Sequence, residues 1–164
     1  MKNFKKIVLT IMLGVLVLLP SAVYAKTEVK TNEELKAATK NGGDIVLQND
    51  IVLTDDITVK GQNISIDLNG NTITLKAYID VFEGSLEFKG NGLIKDDRED
   101  TNATIYVYGS ADSKAVAFAT LTVGKDVKIE TKRYGITVWP CEVNKKAVPT
   151  YGTVVNFNGT IIST

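Results

Sequence analysis

A chain of 164 residues with no histidine, one cysteine and 19 basic against 19 acidic side chains excludes several chemistries at once. Without histidine there is no Ser-His-Asp or Cys-His catalysis, no HExxH metal site and no imidazole acid–base work. The lone Cys141 forbids an intrachain disulfide, and nothing beside it points to a nucleophile.

The N-terminus carries the parts of an export signal. Lys2, Lys5 and Lys6 precede an apolar run from Ile7 to Leu19, Pro20 breaks it, and Val23-Tyr24-Ala25 offers a cleavage site. The run spans 19 − 7 + 1 = 13 residues, short of the ~20 a membrane-spanning helix needs. Residues 1–25 are therefore expected to be a signal peptide, with membrane contact only during export and the product secreted or held at the cell surface. No cysteine follows the run to take a lipid anchor. The remaining 164 − 25 = 139 residues suffice for one domain with a real core. They carry 16 basic and 19 acidic residues, a net charge of −3, with no basic run, so a nucleic-acid partner is not expected.

Residues 26–43 read as a linker and a capping helix. Thr31-Asn32-Glu33-Glu34 is a capping box, in which the Thr31 hydroxyl meets an orphan N–H and Glu34 reaches back. Leu35 and Ala38 make a small apolar face, and Asn41-Gly42-Gly43 ends the helix. So short a helix is not stable alone in water. Its place before a run of strands suits a lid over an exposed core.

From Asp44 to Thr164 the pattern has period two and is rich in Ile, Val, Thr and Phe. Short alternating strands recur as Ile57-Thr-Val59, Ile79-Asp-Val81, Ile105-Tyr-Val107 and Ile136-Thr-Val138. Each is followed by a second alternating run around a Gly- or Asn-bearing turn, as in Ile66-Asp-Leu68-Asn-Gly-Asn-Thr-Ile73. The first residues lie 22, 26 and 31 positions apart, a growth assigned to polar insertions around 109–117 and 140–150. A period near 22 with several strands per unit suits one turn of a parallel β-helix, a β-solenoid whose turns stack at about 4.8 Å. Ile57/Ile79/Ile105/Ile136 and Val59/Val81/Val107/Val138 then form two interior columns. The alternative is an antiparallel β-hairpin sandwich, because Asn69-Gly70 is a strong hairpin-turn signal. Asn69, Asn91 and Asn158, each before a glycine, serve either as a stacked amide ladder or as left-handed turn residues.

The cap Asn32-Glu-Glu-Leu-Lys-Ala-Ala-Thr, the following Asp44-Ile-Val-Leu and the Ile66–Ile73 unit resemble the start of a pectin-lyase-like right-handed parallel β-helix. Tyr134-Gly-Ile-Thr-Val138 is similar to rungs of bacterial surface, adhesin-like β-helix proteins. The resemblance covers residues 30–164 and implies an all-β fold. It leaves activity open, because the superfamily spans lyases, hydrolases, tailspikes and adhesins. For lyases it implies converging carboxylates that hold calcium and a basic residue; for hydrolases, aspartates with a histidine nearby.

Neither set is apparent. The outward columns are Thr58/Asp80/Tyr106/Thr137 and Lys60/Phe82/Tyr108/Trp139, with Asp80 the one carboxylate among them, and a calcium site needs several oxygen ligands. Asp96-Asp97-Arg98-Glu99-Asp100 and Asp55-Asp56 are expected to be solvated connections, as consecutive charges usually are. No catalytic residue, metal ligand or cofactor is assigned, and the enzyme reading, a polysaccharide lyase or glycoside hydrolase, stands second. Phe82, Tyr106, Tyr108 and Trp139 are the candidate ligand-binding residues, their faces spaced to lie under successive sugar rings or to meet a protein partner. The competing role is packing, since cross-strand aromatic pairs stabilise a sheet without any ligand.

The expected function is a secreted or surface-displayed binding or scaffold module for a polysaccharide or another surface protein, with a plain structural spacer as a further alternative. Thr160-Ile-Ile-Ser-Thr164 stops in strand-like sequence without a cap. That end is expected to be covered by more chain, the sequence then being an N-terminal fragment, or by a partner.

Overall fold

A computed structural model describes residues 26–100, 102–143 and 146–164; the expected export signal, residues 1–25, lies outside the described residues. The segment expected as a linker is instead a strand, β1 (Thr27–Val29), which pairs in parallel with β2 (Gly43–Leu47). Between them runs α1 (Asn32–Asn41). Thr31 Oγ1 accepts from the Glu34 N–H at 3.2 Å, and the Glu34 carboxylate accepts from the Lys30 N–H at 2.7 Å, one residue earlier than a standard capping box. Gly42, at φ 75°, donates its N–H to Ala38 O and stops the helix. Leu35 is wholly buried in the common core, so α1 acts as the lid its position suggests. Asp55, expected in a solvated connection, pins that lid: it takes the Lys36 ammonium at 2.5 Å and the Asn32 amide at 3.1 Å. Asp56 accepts the backbone N–H of Tyr78, in the next turn, at 2.8 Å.

The strands that follow are β3 (Ile51–Leu53), β4 (Ile57–Asp67), β5 (Thr72–Leu75), β6 (Ile79–Lys89), β7 (Gly92–Asp96), β8 (Ala103–Tyr108), β9 (Ala119–Val123), β10 (Val127–Thr131), β11 (Tyr134–Trp139), β14 (Thr153–Phe157) and β15 (Thr160–Ser163); a small hairpin, β12 (Glu142–Val143) and β13 (Lys146–Ala147), lies before β14. One sheet runs β1-β2-β4-β6-β8-β11, with β9 on β6 and β14 on β9; the other runs β3-β5-β7-β10-β15. From β2 onward the chain passes back and forth between the two sheets, β8 with β9 and β11 with β14 each sharing one passage, and every pairing within the sheets is parallel. This is the all-β parallel β-helix, and it overturns the hairpin sandwich.

The reason is visible at Asn69-Gly70. Both residues have positive φ, 49° and 84°, and the Asn71 N–H closes the turn on Leu68 O. The turn is as the sequence predicts, but it carries the chain from one sheet to the other. Ile66 pairs with Ile45 and Phe88, whereas Ile73 pairs with Ile51 and Ile94. The Asn69 amide donates to Leu47 O, so this asparagine supplies turn geometry and an inter-turn bond; Asn91 and Asn158 do not share its positive φ.

Both predicted columns form in register, Ile57↔Ile79↔Ile105↔Ile136 and Val59↔Val81↔Val107↔Val138. Alternation drives this: with β-branched residues at every second position, one face of each strand is apolar and only inward stacking removes it from water. Each fully buried aliphatic side chain contributes about 1.5–3 kcal/mol. The core is closed below by α1. At the other end Val138, Phe157 and Ile161 hold inward positions but stay 49%, 37% and 45% exposed.

The long strands β4 and β6 carry paired bulges. Val59 faces Val81, Lys60 faces Glu83 and Asn63 faces Ser85, so each strand in turn has an extra residue. Lys60 therefore does not pair with Phe82, as the simple register predicts. In the next two turns the chain leaves the ladder at this same corner: β8 and β9 take up the two halves of β6, and residues 109–118 loop out between them. β11 and β14 lie on β8 and β9 in turn, so the chain leaves the ladder between them at this corner as well. The earlier lengthening, from 22 to 26 residues, has another source. Leu75↔Asp96 is an offset of 96 − 75 = 21 and Ile79↔Ile105 one of 105 − 79 = 26, so five extra residues lie between Asp96 and Ile105.

Gly84 stands at the bulge with φ 91°, and a Cβ there would come within 2.2 Å of Gln62 O. Gly84→Ala meets both a left-handed backbone and a clash with main chain, so it is expected to cost about 2 kcal/mol or more. A fall in the urea midpoint with unchanged slope checks this.

Candidate functional site

The bulge corner is where the repeat opens into a groove. Its volume is about 480 Å³, and Lys60, Phe82, Glu83, Tyr108, Phe118 and Trp139 are among its lining residues, with Pro140 and Cys141 at the start of the second loop. Register brings Tyr108 beside Trp139 and Tyr106 beside both Asp80 and Thr137. The four predicted aromatics thus gather in one place, but they do not present themselves alike. Tyr106 is buried and its hydroxyl accepts the Ala103 N–H at 3.0 Å. Phe82 and Tyr108 lie face to face, centroids 4.1 Å apart and planes 16° from parallel, with the Lys60 ammonium 5.0 Å from the Phe82 centroid. Their faces are spent on each other, because neighbours in a parallel ladder stack along the axis and turn ring edges outward. That revises the expectation of a row of faces open to sugar rings. Trp139 is the exposed member, 43% accessible, and stands edge-to-face with Tyr106 at 5.6 Å.

Behind the stack the Tyr108 hydroxyl donates to Asp80 Oδ1 at 3.3 Å. Burial pushes the Asp80 carboxyl above its ordinary range. Burial, then the charge of Asp80 and the hydrogen bond to it, push the Tyr108 phenol up to about 12.

The two loops are tied to one another. Ser110 and Tyr151 exchange both backbone hydrogen bonds at 2.9 Å, forming an antiparallel bridge. Thr153 Oγ1 donates to Tyr108 O, and the Gly84 N–H donates to Phe118 O, which fixes Phe118 at the groove. Phe118, Glu83, Pro140 and Cys141 were not read from the sequence as site residues. Glu83 enters only through the bulge, and the others lie on or beside loops whose path carries no periodic signal.

The acidic run 96–100 departs from its expected solvated state. Asp96 and Arg98 are buried, and Arg98 grips Asp96 through Nε–Oδ1 at 2.9 Å and Nη2–Oδ2 at 2.7 Å. Arg98 also donates to Ala103 O at 2.6 Å, Thr104 donates to Asp96 Oδ2 at 3.0 Å, and the guanidinium lies 4.3 Å from the Tyr78 ring centroid. Arg98 Nη1 has no hydrogen-bond partner. The cause is parity: Asp96 faces Leu75 in register and so points inward, and the five extra residues let Arg98 fold back onto it. Tyr78 passes this anchor to the aromatic cluster, its ring 6.4 Å from that of Tyr106. Among the described residues no group of three or more His, Cys, Asp or Glu is arranged to hold a metal ion. In a second groove, beside Asp44, Asn63, Ser65, Ser85 and Glu87, the polar side chains are paired, with Ser65 donating to Glu87, Ser85 to Asn63 and Lys89 to Asp44.

Residues 26–161 match the family described as "Putative pectate lyase-like adhesive domain". The chain belongs to this family. The match covers α1, both sheets and the groove, and an adhesive domain fits a protein of the cell surface or extracellular space. Neither a curated protein nor a solved structure matches the chain. In this adhesive domain the Lys60–Phe82–Tyr108 stack and the Arg98 anchor brace a groove whose lining includes the exposed Trp139.

Two outcomes follow from the buried groups. Arg98→Met leaves the Asp96 carboxylate buried and unpaired, a loss of about 3–5 kcal/mol near neutral pH. Burial alone pushes the Asp96 carboxyl up, but the Arg98 hydrogen bonds and charge with Thr104 hold it below the ordinary range. That stabilisation is present above the unfolded carboxylate range and fades as pH falls through the folded value, so the deficit of Arg98→Met narrows in acid. Urea midpoints across pH test it. The raised phenol works the other way: Tyr108 contributes stability below pH ~10, the unfolded tyrosine value, which is lost as pH rises toward about 12. Tyrosinate absorbance of Tyr108→Phe is expected to lack the last-titrating phenol, and Asp80→Asn to lower it.

Proposed function

We propose that this adhesive domain binds carbohydrate at the groove, with one pyranose ring against the Trp139 indole. The observation that carries the reading is convergence. The two long loops of an otherwise regular stack leave at one corner, in successive turns, and are bridged to each other beside the groove that Trp139 lines. A strained, looped-out corner on a rigid scaffold is where binding residues are commonly placed. The chemistry is that of a sugar site: an indole for the apolar face of the ring, and the Lys60 ammonium and Glu83 carboxylate for its hydroxyls. The face-to-face Phe82–Tyr108 pair, held from behind by Asp80, supplies a floor that does not rearrange on binding, which limits the entropy cost.

Retention on arrays of bacterial and host glycans tests the reading. Trp139→Ala is expected to weaken a retained glycan about tenfold, the equivalent of about 1.4 kcal/mol, with the urea midpoint little changed. Phe82→Leu is expected to lower stability and affinity together. An array that retains no glycan, or retention equal in wild type and Trp139→Ala, overturns it.

A further inference from the structure

We infer that the sugar taken by the groove carries a free, protonated amine, as a de-N-acetylated hexosamine does, and that Glu83 is the residue that selects it. This charge preference rests on the carbohydrate reading above and adds to it the sign of the ligand.

Among the described residues the groove is lined by one ammonium, Lys60, and one carboxylate, Glu83, with Asp80 behind the aromatic stack. Two of these three have partners. The Lys60 ammonium lies 5.0 Å from the Phe82 centroid. Its charge also reaches Asp80: burial raises that carboxyl, and the Tyr108 hydrogen bond and the Lys60 charge are among the influences that draw it back. Glu83 is exposed, and its carboxylate has neither hydrogen bond nor ion pair among the described residues. The register sets Lys60 opposite Glu83, yet the ammonium turns to the ring and not to the carboxylate. The charge left over at the groove is therefore negative.

The walls favour the same ligand. Phe82, Tyr108, Phe118 and Trp139 all line this groove, and aromatic rings attract cations, tryptophan most of all. Lys60 over Phe82 is that attraction made within the chain. Glu83 lies on β6 and Trp139 on β11, two turns further along the stack, or about 10 Å at the spacing of neighbouring strands. A pyranose against the indole and the Glu83 side chain close that gap between them. An ammonium on the ring then makes a charge-assisted hydrogen bond to Glu83. An acetamido group or a hydroxyl in its place brings no charge, and a sugar carboxylate meets Glu83 with the same sign.

Trp139 is the only tryptophan of the chain, so its fluorescence reports the groove directly. Three probes share one skeleton and differ only in the group on the second carbon of each ring: the glucosamine trimer, its N-acetylated form and cellotriose. The glucosamine trimer is expected to bind about tenfold more tightly than either neutral trimer, as one added charge-assisted bond allows. Glu83→Gln, an exposed change that strands no buried partner, is expected to remove that advantage. Three overturning results leave the carbohydrate reading standing: equal or tighter binding of a neutral trimer, an advantage that survives Glu83→Gln, or array retention of neutral or acidic glycans with no response to the glucosamine trimer. An array that retains no glycan overturns both.

Discussion

Everything in this molecule depends on in-register stacking of one turn on the next. A parallel ladder has no local turn to hold it, so register must come from side chains, and a shift of one residue moves every inward side chain out. Ile57, Ile79, Ile105 and Ile136, with the valines two residues on, set that register in four consecutive turns. β-Branched chains are suited to the task because their stiff rotamers pack at the spacing of the strands. Long-range pairing of this kind is slow to find, since loop closure precedes any reward.

A charged pair enters the interior where one column changes character. Leu53 and Leu75 stack in one column, and the next turn places Asp96 there. A buried carboxylate is tolerated because Arg98, Thr104 and the Arg98 backbone satisfy it. Such a pair adds little net stability against an apolar alternative, and is better read as a device that specifies arrangement. Its location supports that reading, for it turns the chain at the longest inter-sheet connection and fixes Tyr78 against the aromatic cluster.

Much of the fold was legible because two periods coincide, one of two residues along a strand and one of about 22 along the chain. The cap was legible from Thr31 and Glu34, and the turn at Asn69-Gly70 from its residue types. Its destination was not, because a turn's local chemistry does not tell whether the next strand joins the same sheet. Asp96 and Arg98 were misread because charge density along a sequence says nothing of parity: alternation carried them inward while Asp97 and Glu99 faced out. The column logic found Phe82, Tyr108 and Trp139, which line the groove, and Tyr106, which is buried beside them. It did not find how they share their surfaces, since ring orientation follows from stacking geometry, nor Phe118 and Cys141, since loops that leave the ladder lose its period.

The bulge at Gly61 and Gly84 has a consequence for how such a domain diversifies. Backbone pairing is already interrupted there, so a chain that departs at this corner gives up little ladder, and lengthening a flexible loop adds closure entropy only logarithmically. The columns on either side are insulated from what happens between them. Sequence can therefore be added, removed or exchanged at the corner while the scaffold stays fixed, and successive turns place those variable segments side by side. The architecture separates the part that must stay fixed to fold from the part free to vary.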